Sequence, residues 1–400
     1  MDTTHNAVNG DASIVNENQS MSLSSVVERL GAERDSREDV VLNTRDHLTM
    51  IPTEDGADVE IGFNRSILEP GDFDQAQRLA GTTMPATRWA HSQIASKVGI
   101  PAKYYNRMRT EAPDLLADNV SHWWRNQPEN RMVRAVGVNG DSRIRAFLST
   151  RFQILDNLDF VTRVFTAAEE FDAQARNCHI TDDRLYVQLL TPRTAELPSR
   201  AGDVVQQGIT IRNSEVGDGR VVVQPWLLRL VCTNGMLSTK QFRRTHLGTK
   251  QEMGMLSEST IAKQADATWS EVTDWVKYSL DPAHFDEMVS TLDRAARTDV
   301  ISTPRDATAN IARDFNLSKS EGMAVLERYL VNQDQTQYGM AQAVTHVAHE
   351  AAAGGTFQRR VELESIGGDI VDVNPITFTQ RITRAVTAKE MEKSLGITAA

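Results

Sequence analysis

The sequence has little cysteine. Cys178 and Cys232 are its only two. Two thiols cannot build a disulfide framework or an all-cysteine zinc site, and such scarcity fits a reducing compartment. A surplus of positive charge is also missing: 43 Lys and Arg stand against 54 Asp and Glu, a net charge of -11. That excludes coating duplex DNA by bulk charge, but leaves room for a local basic groove. No apolar run reaches the length of a membrane span. The first twenty residues, MDTTHNAVNGDASIVNENQS, have neither a basic n-region nor an apolar core, so no signal peptide is expected. Cytoplasmic residence with no membrane partner is the expectation. There is no Walker loop, G-x-G-x-x-G, G-x-S-x-G or kinase signature. No repeat of solenoid, coiled-coil or collagen period is present.

What is present is ordinary for a soluble globular protein: 40% hydrophobic and 24% charged over 400 residues, enough for two or three domains. The patterning predicts an α+β fold, a mixed sheet-and-helix central domain followed by a helical C-terminal region. The expected boundaries are a weakly ordered tail over 1–38, with a short helix around Leu23–Leu30, and an α+β domain with antiparallel hairpins over 39–255. A helical region over 256–385 packs on that domain, and a tail runs over 386–400. "ATRWAHSQIASKVG" reads as a helix stopped by Gly99, with Pro101 starting the next. Asp156 or Asn157 is a plausible N-cap. Asp281-Pro282, Thr303-Pro304 and the capping box Ser318–Glu321 start later helices.

Four stretches carry candidate chemistry. In "RMVRAVGVNGDSRIRAFLSTRF", Asn139-Gly140 predicts a two-residue hairpin turn. Strict alternation then puts Arg143, Arg145, Phe147 and Arg151 on one face, with Arg134 opposite. Like charges so placed repel unless carboxylates neutralise them or an anion binds. Arginine with an exposed aromatic suits phosphate contact and base stacking; the bland alternative is a solvated face paired with surplus acids. A second basic stretch holds Lys240, Arg243, Arg244, His246 and Lys250 around Phe242. "HSQIASKVGIPAKYYNRM" has helix-turn-helix spacing that would show Lys103, Asn106, Arg107 and Arg109, though a plain αα-hairpin gives the same spacing and is favoured. Metal ligation by Asn213, Glu215 and Asp218, or by His346 and His349, lacks the full motifs. Cys232, ending an apolar strand, reads as a buried inert thiol.

Together, "IRAFLSTRFQILDNLDF", "IRNSEVGDG", "LRLVCTNGM" and "YGMAQAVTHVAHE" resemble the phage- and plasmid-borne family called domain of unknown function 932, over about residues 40–385. The family carries no established activity or catalytic residues. The resemblance implies a mobile-element setting, and with it nucleic-acid metabolism by association. The leading expectation is a non-enzymatic nucleic-acid-binding protein, single-stranded DNA favoured. Arg134, Arg143, Arg145 and Arg151 contact phosphate, Phe147 is a stacking platform, and Lys240, Arg243 and Arg244 form a second wall. No cofactor, metal or catalytic residue is assigned, and homo-oligomerisation stays open. The alternatives are a protein-interaction module acting through the helical C-terminal region and a metal-dependent hydrolase.

Overall fold

Alternating apolar residues in three parts of the chain build three antiparallel sheets. The structure, a computed structural model, describes residues 21–64, 78–138, 141–231, 235–246, 257–348 and 357–397. The Asn139-Gly140 turn, Cys232, Lys250 and His349 lie outside the described residues.

The first elements are α1 (Leu23–Asp35), β1 (Arg37–Asn43), α2 (Thr44–His47), β2 (Leu48–Pro52), β3 (Val59–Phe63) and β4 (Thr83–Pro85). Three helices follow, α3 (Arg88–Lys97), α4 (Ala102–Glu111) and α5 (Pro113–Asn126), and then the hairpin β5 (Asn130–Val138) and β6 (Asp141–Ser149). One sheet has the order β1-β5-β6 and a second β2-β3-β4. They share a core of Val40, Leu42, Met50, Ile61, Phe63, Ile94, Tyr105, Val120, Trp124, Val133 and Phe147. Helix α3 stops as its sequence predicts: Gly99 takes φ 73°, a left-handed conformation that costs glycine nothing, and Pro101 caps α4.

The large sheet follows α6 (Asn157–Ala168). Its strands are β7 (Gln174–Ile180), β8 (Leu185–Glu196), β9 (Val204–Asn213), β10 (Val221–Arg229), β11 (Gly235–Leu237) and β12 (Phe242–Arg244). The order is β11-β10-β9-β8-β7, with β12 also paired to β10. One face is apolar. Val187, Leu189, Ile209, Ile211, Val221 and Val223 meet Val26 and Leu30 of α1, Phe160 and Val164 of α6, and Trp269, Val272 and Val276 of α7 (Glu258–Leu280). Each such side chain, fully buried, contributes on the order of 1.5–3 kcal/mol.

The remaining helices are α8 (Pro282–Ala296), α9 (Pro304–Asp314), α10 (Lys319–Asn332), α11 (Gln337–Val347), α12 (Phe357–Asp372), α13 (Pro375–Ile382) and α14 (Ala388–Leu395). Their core of Phe285, Leu292, Ile311, Val325, Tyr338, Val344, Ile370 and Phe378 joins the sheet at Val205, Leu227 and Met236. The predicted caps form: Asp281 and Thr303 accept backbone N–H groups, and Ser318 with Glu321 makes the capping box. The helix expected around Leu23–Leu30 is α1, which runs to Asp35 and buries Val26 and Leu30, and α14 seats Leu395 against Ala309 and Leu326.

Candidate nucleic-acid interface

The hairpin arginines do not form an open face. The β5–β6 ladder closes with Val138 opposite Asp141, then shifts register between Arg134 and Ala135. A bulge reverses the alternation that strict pairing predicts. Phe147 joins Ile144 in the core, stacked on Trp124 at 5.9 Å, and is 5% exposed. It offers no platform to a base. Arg134 and Arg145 point the other way, into the protein, at 0% and 2% exposure.

There the chain's own carboxylates meet them. Arg134 Nε and Nη2 make a bidentate pair with Asp39 at 2.7 and 2.8 Å, and Nη1 donates to the Glu215 carbonyl. Arg145 Nη1 lies 2.9 Å from Glu33 and 3.3 Å from Glu215, and its other nitrogens donate to the Asp182 carbonyl. Arg143 pairs with Asp182, and Arg37 with Asp156 and Asp39. Burial works to raise the Asp39 pKa, but the Arg134 guanidinium outweighs it and holds the carboxyl below its usual value. Asp156, expected to cap α6, is drawn to Arg37 and makes no capping bond; Glu215 instead accepts the Asn157 N–H at 2.6 Å. This cluster is internally neutralised and closes the joint between the hairpin sheet, α1 and the large sheet. Arg134, Arg145 and Phe147 are therefore corrected from ligand contacts to structural parts, while Arg143 is part-exposed beside Asp182. Arg151 is exposed and makes no ion pair among the described residues.

The second stretch divides. Lys240 pairs with Glu287 at 2.7 Å, and Arg244 reaches toward Glu271 at 3.9 Å. His246 turns inward, stacks on Phe152 and contacts Asn213 at 2.9 Å. Arg243 is exposed and makes no ion pair among the described residues. The two basic stretches belong to different sheets, so they do not form facing walls of a single hairpin groove.

Arg243 instead ends a row that crosses the large sheet on the face opposite the apolar core. Cross-strand partners point to the same side. The register aligns His179 with Tyr186, Tyr186 with Arg212, Arg212 with Val222, and Val222 with Arg243. The neighbouring row is Asn177, Gln188, Thr210 and Gln224. Helix α12 lies over the far part of this face: Val361 packs with Tyr186, Trp226 and Leu237, and Gly368 sits where a Cβ would meet the Leu237 carbonyl at 1.6 Å.

Arginines gather at the edge of that cover. The register slips between Ala175 and Asn177, leaving Arg176 outside the ladder and exposed. Arg360, on α12, lies 3.4 Å from Glu364, which is 1% exposed. Arg184 pairs with Asp218. Arg212 donates to Gln224 at 2.7 Å, while its buried Nε makes no hydrogen bond among the described residues. Arg176, Arg212 and Arg243 make no ion pair among the described residues. Burial lowers the Arg212 pKa from its ordinary value, and the positive charges of Arg243 and Arg184 lower it further. Burial pushes the Glu364 carboxyl up to about 7, against the pull of Arg360, Arg212 and Arg176. The other carboxyls at this edge are Asp218, paired with Arg184, and Asp369, on which the charge of Arg243 acts.

The helical pair α3–α4 exposes Lys103, Asn106 and Arg107, but Arg107 pairs with Glu111 and Arg109 with Asp58. The candidate metal turn is occupied by protein contacts: Asn213 holds Leu155 and His246, Glu215 holds Arg145 and Asn157, and Asp218 holds Arg184. Among the described residues no three His, Cys, Asp or Glu side chains are grouped to hold a metal ion. No described helix is long and apolar enough to cross a membrane.

Arg176, Arg212, Arg360, Tyr186 and Glu364 escaped the sequence reading. The signal for two of them lay in alternation within "LYVQLL" and "GITIRN": Tyr186 and Arg212, with Gln188 and Thr210, occupy the non-apolar phase of strands whose other phase is core. Arg360 and Glu364 sit on a helix, and nothing local says that they face a sheet.

No curated protein and no solved structure matches the chain. A family model, Domain of unknown function (DUF932), matches residues 146–393, more than half of the sequence, and spans the whole arginine edge but not Arg134 or Arg143. The chain belongs to the DUF932 family.

Proposed function

We propose that the protein binds nucleic acid without catalysing a reaction on it, that single strands are preferred, and that Arg176, Arg212, Arg243 and Arg360 contact phosphate. The observation that carries this reading is that Arg212 and Arg243, joined through Val222 on one sheet face, make no ion pair among the described residues of a chain of net charge -11. Arg212 and Arg243 stand two strands apart, roughly 10 Å. Helix α12 covers the same sheet face beside the row, which favours one strand over a duplex as the ligand. Contact is to the backbone: Tyr186 is buried and no aromatic ring of the row is open for stacking. A role in phage or plasmid DNA metabolism extends the reading through the family resemblance.

A salt titration of binding to oligothymidylate, duplex DNA and RNA tests it. With three or four phosphates engaged, log K falls against log salt with a slope of about -2 to -3 for a single strand. Binding that ignores salt, or that is unchanged in R212A/R243A, removes the assignment.

A second reading rests on a separate observation. Ile301, Leu330, Val331 and Ile376, all in the helical C-terminal region, are between 52% and 73% exposed. They favour a protein-interaction role there, checked by a pull-down that survives nuclease treatment and is lost when these residues become polar.

A further inference from the structure

Glu364 holds an unusual position at the arginine edge. It is buried beneath the row and ion-paired with Arg360 one helical turn before it, and Arg212 and Arg176 lie close enough for their charges to act on it. An incoming phosphate and the Glu364 carboxylate therefore compete for the same guanidinium groups. A buried carboxylate that loses its cation is strongly destabilised, and the lowest-energy remedy is protonation.

We propose that Glu364 is the counter-ion that a phosphodiester ligand displaces from the arginine edge, so that binding draws a proton from solvent onto Glu364. This rests on the nucleic-acid reading above. No covalent bond changes: the phosphate oxygens take over the hydrogen bond from Arg360, and the freed carboxylate takes up a proton. The direction follows from charge. Ligand and carboxylate are both negative, so they exclude each other, and acid favours the ligand.

The elements packed against α12 bring other ionisable groups: Tyr186, Arg176 and Arg212 from the sheet, Tyr338 and His346 from α11, and Arg294 from α8, which donates to the Val371 carbonyl. Helix α12 itself adds Arg360 and Asp369. Tyr338 donates its hydroxyl to Asp203. Tyr186 is pushed further from ionisation by burial. His179, beside Tyr186 in the row, and His346 are the imidazoles on these elements, and the test separates both from Glu364.

The experiment is calorimetric titration of the full chain with oligothymidylate at several pH values, in buffers of differing ionisation enthalpy, for wild type, E364Q and R212A/R243A. The expected result is proton uptake by wild type and an affinity that falls by up to about tenfold per pH unit above neutrality. E364Q binds with no uptake from this site and with an affinity flat across that range. Wild-type measurements alone keep the proposal open to refutation should E364Q fold poorly. Binding by wild type that is weakened in R212A/R243A but takes up no proton overturns the Glu364 inference and leaves the arginine assignment standing. Uptake that persists in E364Q also overturns it and points to another group, such as His179 or His346. Absence of binding to oligothymidylate overturns both.

Discussion

Arg134 and Arg212 are both arginines on strands of antiparallel sheets, and they do opposite things. Arg134 is fully buried, with a bidentate carboxylate partner and a backbone carbonyl to complete its hydrogen bonding. Arg212 is half-buried, donates to the Gln224 side chain, and has Tyr186, Arg243, Arg184 and Glu364 as its electrostatic neighbours. The difference lies in what the fold brings opposite. At the hairpin, α1, β1 and the turn between β9 and β10 supply Glu33, Asp39 and Glu215. On the large sheet, α12 supplies a buried Glu364 that is readily neutralised, together with a further arginine. A basic residue type in a strand pattern carries no information about which of these two fates it meets.

The comparison can be broken first at the hairpin. Arg134→Ala removes the bidentate partner of Asp39 and leaves it with Arg37 at 3.2 Å, and breaking a buried pair costs up to about 3–5 kcal/mol. Urea unfolding should show a loss of that size, with oligonucleotide affinity of the remaining folded protein unchanged. A stable R134A variant would contradict the reading of this pair as a structural joint.

Glu364 sharpens the contrast through pH. Its folded pKa is raised from 4.5 to about 7 by burial. The neutral carboxyl therefore contributes stability that is fully present below about pH 4.5 and is lost as pH rises through about 7. Wild type should weaken relative to E364Q by about 3 kcal/mol across that window. Parallel stability curves for the two proteins would contradict the burial argument.

On the sheet row, replacing Arg212 and Arg243 should weaken single-strand binding by roughly ten- to hundredfold, the worth of one to two charge-assisted contacts. It should also reduce the salt slope by about 1.4. At the small end, Lys240→Ala breaks a surface pair with Glu287 and should shift stability by about 0.5 kcal/mol or less. Its effect on binding reports whether the binding edge extends beyond Arg243.

How far the fold was legible follows from how local each signal is. The left-handed Gly99, the capping box at Ser318 and the Asp281 and Thr303 caps need only neighbouring residues, and they form where the sequence puts them. The hairpin ladder was legible up to its bulge. One extra residue near Arg134 then reversed the phase of Phe147, and no local feature announces a bulge that sits beneath a packed interface. The Asp156 cap failed because Arg37, over a hundred residues away in sequence, competes for it. The site was half legible: Arg243 was named, whereas Arg212 and Glu364 become functional candidates only through the register of β8, β9 and β10 and the docking of α12.

The central claim is that the protein's arginines are divided between a neutralised joint and an open edge. Salt-titrated anisotropy of labelled oligothymidylate, run beside urea unfolding on R212A/R243A, tests it most directly. The account predicts that this variant keeps wild-type stability and loses binding with a shallower salt dependence. Wild-type affinity with an unchanged salt slope in the folded double variant would contradict it.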